Sequence, residues 1–208
     1  ADSLVQAVEA LGRRCLAVKG DVGVEADVLA LFAAADRMGS LAGLVNNAGV
    51  IDVAARVEDM SLARLERMMR TNIIGTILPS REAVKRMSTR HGGKGGAIVN
   101  LSSIAPTLGA AGQYVDYAAS KGAIDAFTLG LGREVAAEGI RVNAVRPGLI
   151  ETDIHASGGI PDRVAQLAHM VPMQRGGSAE EVARAILWLL SEEASYCAGS
   201  VLTVSGGR

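Results

Sequence analysis

Short apolar runs that read as buried strands recur along this chain, each separated from the next by a helical stretch long enough to cross back over a sheet. The runs are Leu41–Asn46, Ala97–Leu101, Ile140–Val145 and Ser200–Val204. Before and between them lie Glu25–Arg37, with Val28, Leu29, Leu31 and Phe32 at helical spacing, then a stretch from Ser61 to about Arg90, and Tyr117–Ala137. Val182–Leu190 follows a capping box of Ser178 and Glu181. Strands joined by helical crossovers pair in parallel and need helices on both faces, which predicts an α/β fold with a Rossmann-like doubly wound parallel sheet in three αβα layers. Leu4–Leu11 is expected as an opening helix and Cys15–Lys19 as one more strand. The polar, Gly- and Pro-containing segment 151–177, with one short helical piece, has the length of a functional lid. At 208 residues, 49% of them hydrophobic but only 3% aromatic, residues 1–208 suit a single domain of closely packed helices and sheet.

Charge and cysteine usage narrow the function. The net charge of −1 comes from scattered charges of both signs, so no basic stripe invites nucleic acid and no polybasic patch a membrane surface. Cys15 and Cys197 are isolated, and His91, His155 and His169 lack metal-ligand spacing, which reads as a reduced, cytoplasmic, metal-free protein. His155 and His169 are expected on the surface. No apolar run approaches the roughly 18 residues of a membrane span.

Ligands of parallel sheets bind beyond the carboxyl ends of the strands, and residues able to do chemistry collect there. Ser102 and Ser103 follow one strand, where a hydroxyl can hold a substrate oxygen. Tyr117 and Lys121 lie four apart at the start of a helix and share a face; an ammonium near a phenol favours phenolate and makes it a usable base. Asn46-Asn47-Ala48-Gly49 ends another strand with small residues that let a flat ligand approach the backbone. Asp21, with Val22, ends the Cys15–Lys19 run and could meet a nucleotide base or cap the next helix. Neither HGGKGG, which precedes a strand and has no Ser or Thr after its Lys, nor Gly130-Leu-Gly132, which lies within a helix, matches a phosphate-binding loop. No charged clamp for phosphate or carboxylate stands out in the lid.

With NNAG at 46 to 49, Asn72, the serine pair, Tyr117-Ala-Ala-Ser-Lys121, Pro147-Gly148 and a closing GGR, the chain resembles the classical short-chain dehydrogenase/reductase family over nearly its whole length. The resemblance implies an NAD(P)-dependent oxidoreductase that interconverts a secondary alcohol and a ketone by hydride transfer. The substrate would be a sugar, a 3-oxoacyl thioester or a small ketone. Tyr117 would be the general acid/base, Lys121 would lower its pKa and hold the nicotinamide ribose, Ser103 would orient the reacting oxygen, and Asn72 would position a relay water. The cofactor, NAD or NADP with NADP favoured, would meet Asp21 and Val22 at the adenine, and Asn47, Ala48 and Gly49 at its ribose. Tyr117, Lys121, Pro147, Gly148, Ile150 and Thr152 would meet the nicotinamide end. A homotetramer is the assembly the resemblance implies.

Two departures from the family pattern stand out. The loop from Ser103 into QYVDYAASK is about one residue longer than in many relatives, which would reshape the substrate mouth. The chain also opens in the helix that normally follows the family's first strand, glycine-rich turn and second strand. Roughly the first fifth is expected to be truncated or disordered, and with it the pyrophosphate cradle and the residue that separates NAD from NADP. A catalytically inactive nucleotide-binding relative or sensor is the alternative this leaves open, and lyase or epimerase chemistry also occurs in the family.

Overall fold

A parallel strand exists only where a neighbour supplies its hydrogen bonds, and this decides which apolar runs become strands. In the computed structural model, which describes residues 2–208, four do: β1 (Gly43–Asn46), β2 (Gly96–Leu101), β3 (Ile140–Pro147) and β4 (Val201–Val204). They lie side by side in chain order and are all parallel. α1 (Asp2–Ala10) and α2 (Glu25–Asp36) precede β1. α3 (Leu62–Met69), a π-helical turn (Arg70–Ile74) and α4 (Gly75–Met87) lead to β2, and α5 (Ala105–Leu108) and α6 (Val115–Val135) lead to β3. α7 (Ile154–Ser157), α8 (Arg163–Leu167) and α9 (Ala179–Leu190) complete the last crossover.

Alternation along the two central strands separates the layers. Ile98, Ile140 and Val142 pack with Val28, Phe32, Ala83, Met87 and Val135 from α2, α4 and α6. Val99, Leu101 and Val145 pack on the other face with Val182 and Leu189 of α9. Helices therefore cover both faces, as the alternation of elements predicts. The Ser178 and Glu181 capping box is present, and Ser61 caps α3 by accepting from the Arg64 backbone N–H at 3.3 Å.

Three expectations are corrected. Cys15–Lys19 is extended but forms no strand, because no other strand among the described residues lies beside it; Leu16 and Val18 stay exposed. The strand expected as buried over Leu41–Asn46 is a four-residue edge strand in which only Asn46 is buried. The segment 151–177 holds two short helices and a 3-10 turn (Ala168–Met170), not one helical piece. Among the described residues no helix is long and apolar enough to cross a membrane.

A buried polar chain ties the helices to the sheet. Asn46 Nδ2 donates to Ser80 Oγ of α4 at 2.9 Å and to Asn100 Oδ1 of β2 at 2.8 Å, and Asn100 Nδ2 donates to Thr128 Oγ1 of α6 at 2.9 Å. Asn100, Ser80 and Thr128 are fully buried, so each depends on the others for its hydrogen bonds. Asn100→Ala is expected to lower unfolding stability by about 2–3 kcal/mol, since it orphans buried groups on two neighbours. A urea midpoint unchanged from wild type would show that the chain does not hold the layers together.

Candidate active site

The parallel ladder continues past the strand ends and positions the loops that follow. Ser102 N–H donates to Val145 O at 2.8 Å, Ile104 N–H to Pro147 O at 2.9 Å, and Gly148 N–H to Val204 O at 2.9 Å. Asn47, Ala48 and Gly49 after β1, Ser103 after β2, and Pro147, Gly148, Ile150 and Thr152 at the end of β3 all line one cleft of about 880 Å³. Tyr117 and Lys121 enter the same cleft from α6. A Cβ on Gly148 would come within 2.6 Å of Ser205 Cα, so glycine is needed here for backbone packing whatever else it touches.

The two serines divide their work. Ser102 is buried and its hydroxyl donates to Lys121 O at 3.2 Å, a structural tie between β2 and α6. Ser103 accepts from Ala105 N–H at 3.1 Å and lines the cleft with the Tyr117 phenol. Lys121 Nζ lies 5.8 Å from the Tyr117 ring centre and donates to Leu101 O at 2.7 Å. Burial lowers the Lys121 ammonium from 10.5 to about 8, opposed by the Asp125 carboxylate one turn away. Burial also pushes the Tyr117 phenol above its usual 10, opposed by the polar Ser103 hydroxyl. Both groups are thus biased toward their neutral forms, which is what a low dielectric favours.

Asn72 sits in the π-helical turn, a local distortion often found at functional sites, and is fully buried. Its Oδ1 accepts from Val50 N–H at 2.8 Å, and its Nδ2 donates to Val50 O at 3.0 Å and to Ser120 Oγ at 2.9 Å. Asn72 therefore staples the loop after NNAG to α6 from behind the cleft. A Cβ on Gly49 would lie 3.5 Å from Asn72 Oδ1 and 3.4 Å from Lys121 Nζ, so Asn72 stands next to the group it would serve.

Asp21 and Val22 are not brought to the cleft. Asp21 Oδ1 accepts from Gly23 N–H at 2.8 Å and Val22 packs on Gly75. The N-cap position of α2 is Val24, which corrects the reading of Asp21 as a cap. His155 lines the cleft, half-buried and hydrogen-bonded through Nε2 to Ile150 O at 2.8 Å, rather than lying on the surface, whereas His169 is exposed.

The sequence did not reveal the device that holds the start of α6. Arg64 of α3 donates to both carboxylate oxygens of Asp116, at 2.7 and 3.1 Å, and to Val53 O at 2.6 Å. Both side chains are nearly inaccessible, at 8% and 1%. Burial would raise the Asp116 pKa, but Arg64 and the Tyr117 backbone N–H outweigh it and hold the carboxyl below its usual range. The partners are 52 residues apart, so no local pattern announces them. Tyr114 and Arg163 were missed for the same reason.

Known proteins resemble this chain in both sequence and fold. The sequence family described as enoyl-(acyl carrier protein) reductase matches residues 1–208. The oxidoreductase YgfF of Escherichia coli (strain K12), itself uncharacterised, is 52% identical over all of this chain and 85% of its own length. The chain belongs to the short-chain dehydrogenase/reductase family. It is an NAD(P)-dependent oxidoreductase of that family. Glucose 1-dehydrogenase 2 of Bacillus subtilis (strain 168) is 35% identical over all of this chain and 80% of its own. A solved dehydrogenase structure from Agrobacterium tumefaciens, for which gluconate is the suggested substrate, superposes with a TM-score of 0.88 at 30% identity, covering 99% of this chain and 80% of that one.

Two outcomes test the geometry. Asp116→Ala leaves Arg64 buried without its countercharge and is expected to lose about 3–5 kcal/mol, whereas an apolar double replacement, Arg64→Met with Asp116→Leu, should recover most of it. Urea unfolding of the three proteins measures this, and an undiminished loss in the double variant would show that packing, not charge, is at stake. For Lys121, the folded-state pKa of about 8 lies below 10.5. Between these values the unfolded chain keeps a proton the folded chain has released, so stability rises with pH from about 8 toward 10. Lys121→Met should be more stable than wild type at pH 7 by roughly 1–2 kcal/mol, after the lost bond to Leu101 O is allowed for, and the gap should shrink by pH 10. A gap independent of pH would refute the buried-ammonium account.

Proposed function

We propose that this chain interconverts a secondary alcohol and a ketone, with Tyr117 as the general acid/base. The observation that carries the reading is the convergence of Ser103, Tyr117 and Lys121, from the end of β2 and one face of α6, on a single cleft. That cleft is also walled by Asn47, Ala48, Gly49, Pro147, Gly148, Ile150 and Thr152.

These residues fit the nicotinamide end of NAD(P). Lys121 has three N–H donors and uses one on Leu101 O, leaving donors that a sugar diol could take up in an otherwise buried place. Gly49, next to it, leaves room for a ring to approach. When bound, the nicotinamide supplies or accepts the hydride. Ser103 Oγ donates to the substrate oxygen and fixes it beside the phenol. Tyr117 Oη gives that oxygen a proton during reduction and takes one during oxidation. The raised phenol pKa means that the neutral donor form prevails before substrate binds. Lys121, 5.8 Å from the ring, stabilises phenolate as it forms, and its easily released proton makes it the next member of a relay. Asn72, adjacent to Lys121 and locked by four hydrogen bonds to Val50, Met68 and Ser120, holds the far end of that relay in place.

The rest of the reading follows the family. Residues 1–208 act as a single domain, and the lid over 151–177 closes on a small alcohol, with sugars favoured by the B. subtilis relative's name. A homotetramer built on α4 and α6 is supported by Ile74, Ile77 and Leu129, each more than a third exposed.

Tyr117→Phe tests the assignment. Its kcat/KM should fall about 10²–10⁴-fold, since only the proton-transfer group is removed. The thermal shift produced by NAD(H) or NADP(H) should persist, because a nucleotide at about 100 times its Kd adds roughly 2.7 kcal/mol whether or not chemistry follows. An unchanged rate would sink the mechanism, and the nucleotide pair that shifts Tm identifies the cofactor.

A further inference from the structure

The catalytic cleft contains a cation that no step above uses. Arg163, the first residue of α8, lines the cleft half-buried, and among the described residues it takes part in no ion pair. Its guanidinium lies 5.1 Å from the centre of the Tyr114 ring. One arm donates to Gln113 Oε1 at 2.9 Å and the other to Tyr114 Oη at 3.4 Å. These partners are neutral: they orient the fork without cancelling its charge.

The support under the fork is itself built. Tyr114 is 4% exposed and occupies the N-cap position of α6, three residues before Tyr117. The turn that presents Gln113 and Tyr114 passes through Ala110 at φ 49°, a left-handed conformation disfavoured for a residue with a Cβ. The N–H groups of Gln113 and Tyr114 both return to Ala110 O, at 3.1 and 3.0 Å. Backbone strain kept at a binding surface is usually kept for what it presents.

The charge around the cleft points the same way. Lys121, Arg163 and Arg208 line it, against a single carboxylate, the exposed Asp153. Arg163 and Tyr117 line the same cleft, and Tyr114, which supports the guanidinium, lies three residues before Tyr117, so one bound molecule can meet both side chains. A guanidinium fork with free N–H groups binds planar or tetrahedral oxyanions through paired, charge-assisted hydrogen bonds.

We propose that Arg163, held by Tyr114 and Gln113, recognises an anionic group on the substrate, so that the alcohol or ketone processed here carries a carboxylate or a phosphate monoester as well as the reacting carbon. This rests on the alcohol–ketone reading for its chemistry but not for its binding. The experiment therefore separates the two. Wild type, Tyr117→Phe and Arg163→Gln are each titrated, with the nucleotide that shifts Tm present, against benzoate, phenyl phosphate and the neutral benzamide. Turnover is measured in parallel on hydroxy acids, the corresponding hydroxy amides and alcohol phosphates.

Wild type and Tyr117→Phe should bind benzoate or phenyl phosphate at least tenfold more tightly than benzamide, and which anion wins identifies the source of the charge. Arg163→Gln should lose that preference, Arg163→Lys should restore part of it, and the acid-to-amide ratio of kcat/KM should collapse with it. A ratio of this kind is unaffected by the fraction of protein that folds. Anion binding by wild type that survives in Arg163→Gln, or no anion preference in wild type, overturns the proposal. Arg163-dependent anion binding by a wild type that turns over no alcohol or ketone would uphold it and overturn the alcohol–ketone reading instead.

Discussion

Everything in the site is arranged around an ammonium taken out of water. Lys121 is only 4% exposed, and its one protein acceptor is the carbonyl of Leu101 at the last residue of β2. A charge in such a place is costly unless neighbours or ligands satisfy it, and the surrounding groups converge on it for that reason. Gly49 leaves the space beside it clear, Asn72 stands behind, and Tyr117 covers it one turn earlier. Burial lowers the ammonium to about 8 and raises the phenol, so in the free cleft the balance lies on the side of the neutral pair.

That balance requires α6 to be placed accurately against the sheet. Two buried polar assemblies do this from opposite ends. Near its start, Arg64 grips Asp116 beside Tyr117 and at the same time holds Val53 in the loop after β1. Further along, Thr128 receives a hydrogen bond from Asn100, which links to Asn46 and Ser80. Apolar packing on both faces of β2 and β3 supplies the bulk of the cohesion, but it is tolerant of small shifts; hydrogen bonds between buried groups are not.

Much of this was legible in the sequence because it is local. Helix and strand periodicity, the Ser178 and Glu181 box and the Ser61 cap each depend on residues within a few positions of one another. Ser103, Tyr117 and Lys121 were singled out by the order of motifs that the chain shares with its family, and the structure brings the three side chains to one cleft. The failures are non-local. Cys15–Lys19 has strand composition but no neighbour to pair with. Val24, not Asp21, takes the N-cap position of α2, and His155 turned inward to Ile150.

What the sequence by itself determined, then, is the order of elements and the parallel three-layer architecture, because periodicity and chain connectivity constrain those directly. Only the tertiary structure decided that Ser102 is tied to the Lys121 carbonyl, that Lys121 is desolvated, that Arg64 reaches Asp116 across 52 residues, and that Arg163 reaches Tyr114 across 49. The physical reason is that charge, burial and hydrogen-bond satisfaction are properties of neighbours in space. In a crossover fold those neighbours come from different loops, whose sequences carry no record of where the others will be.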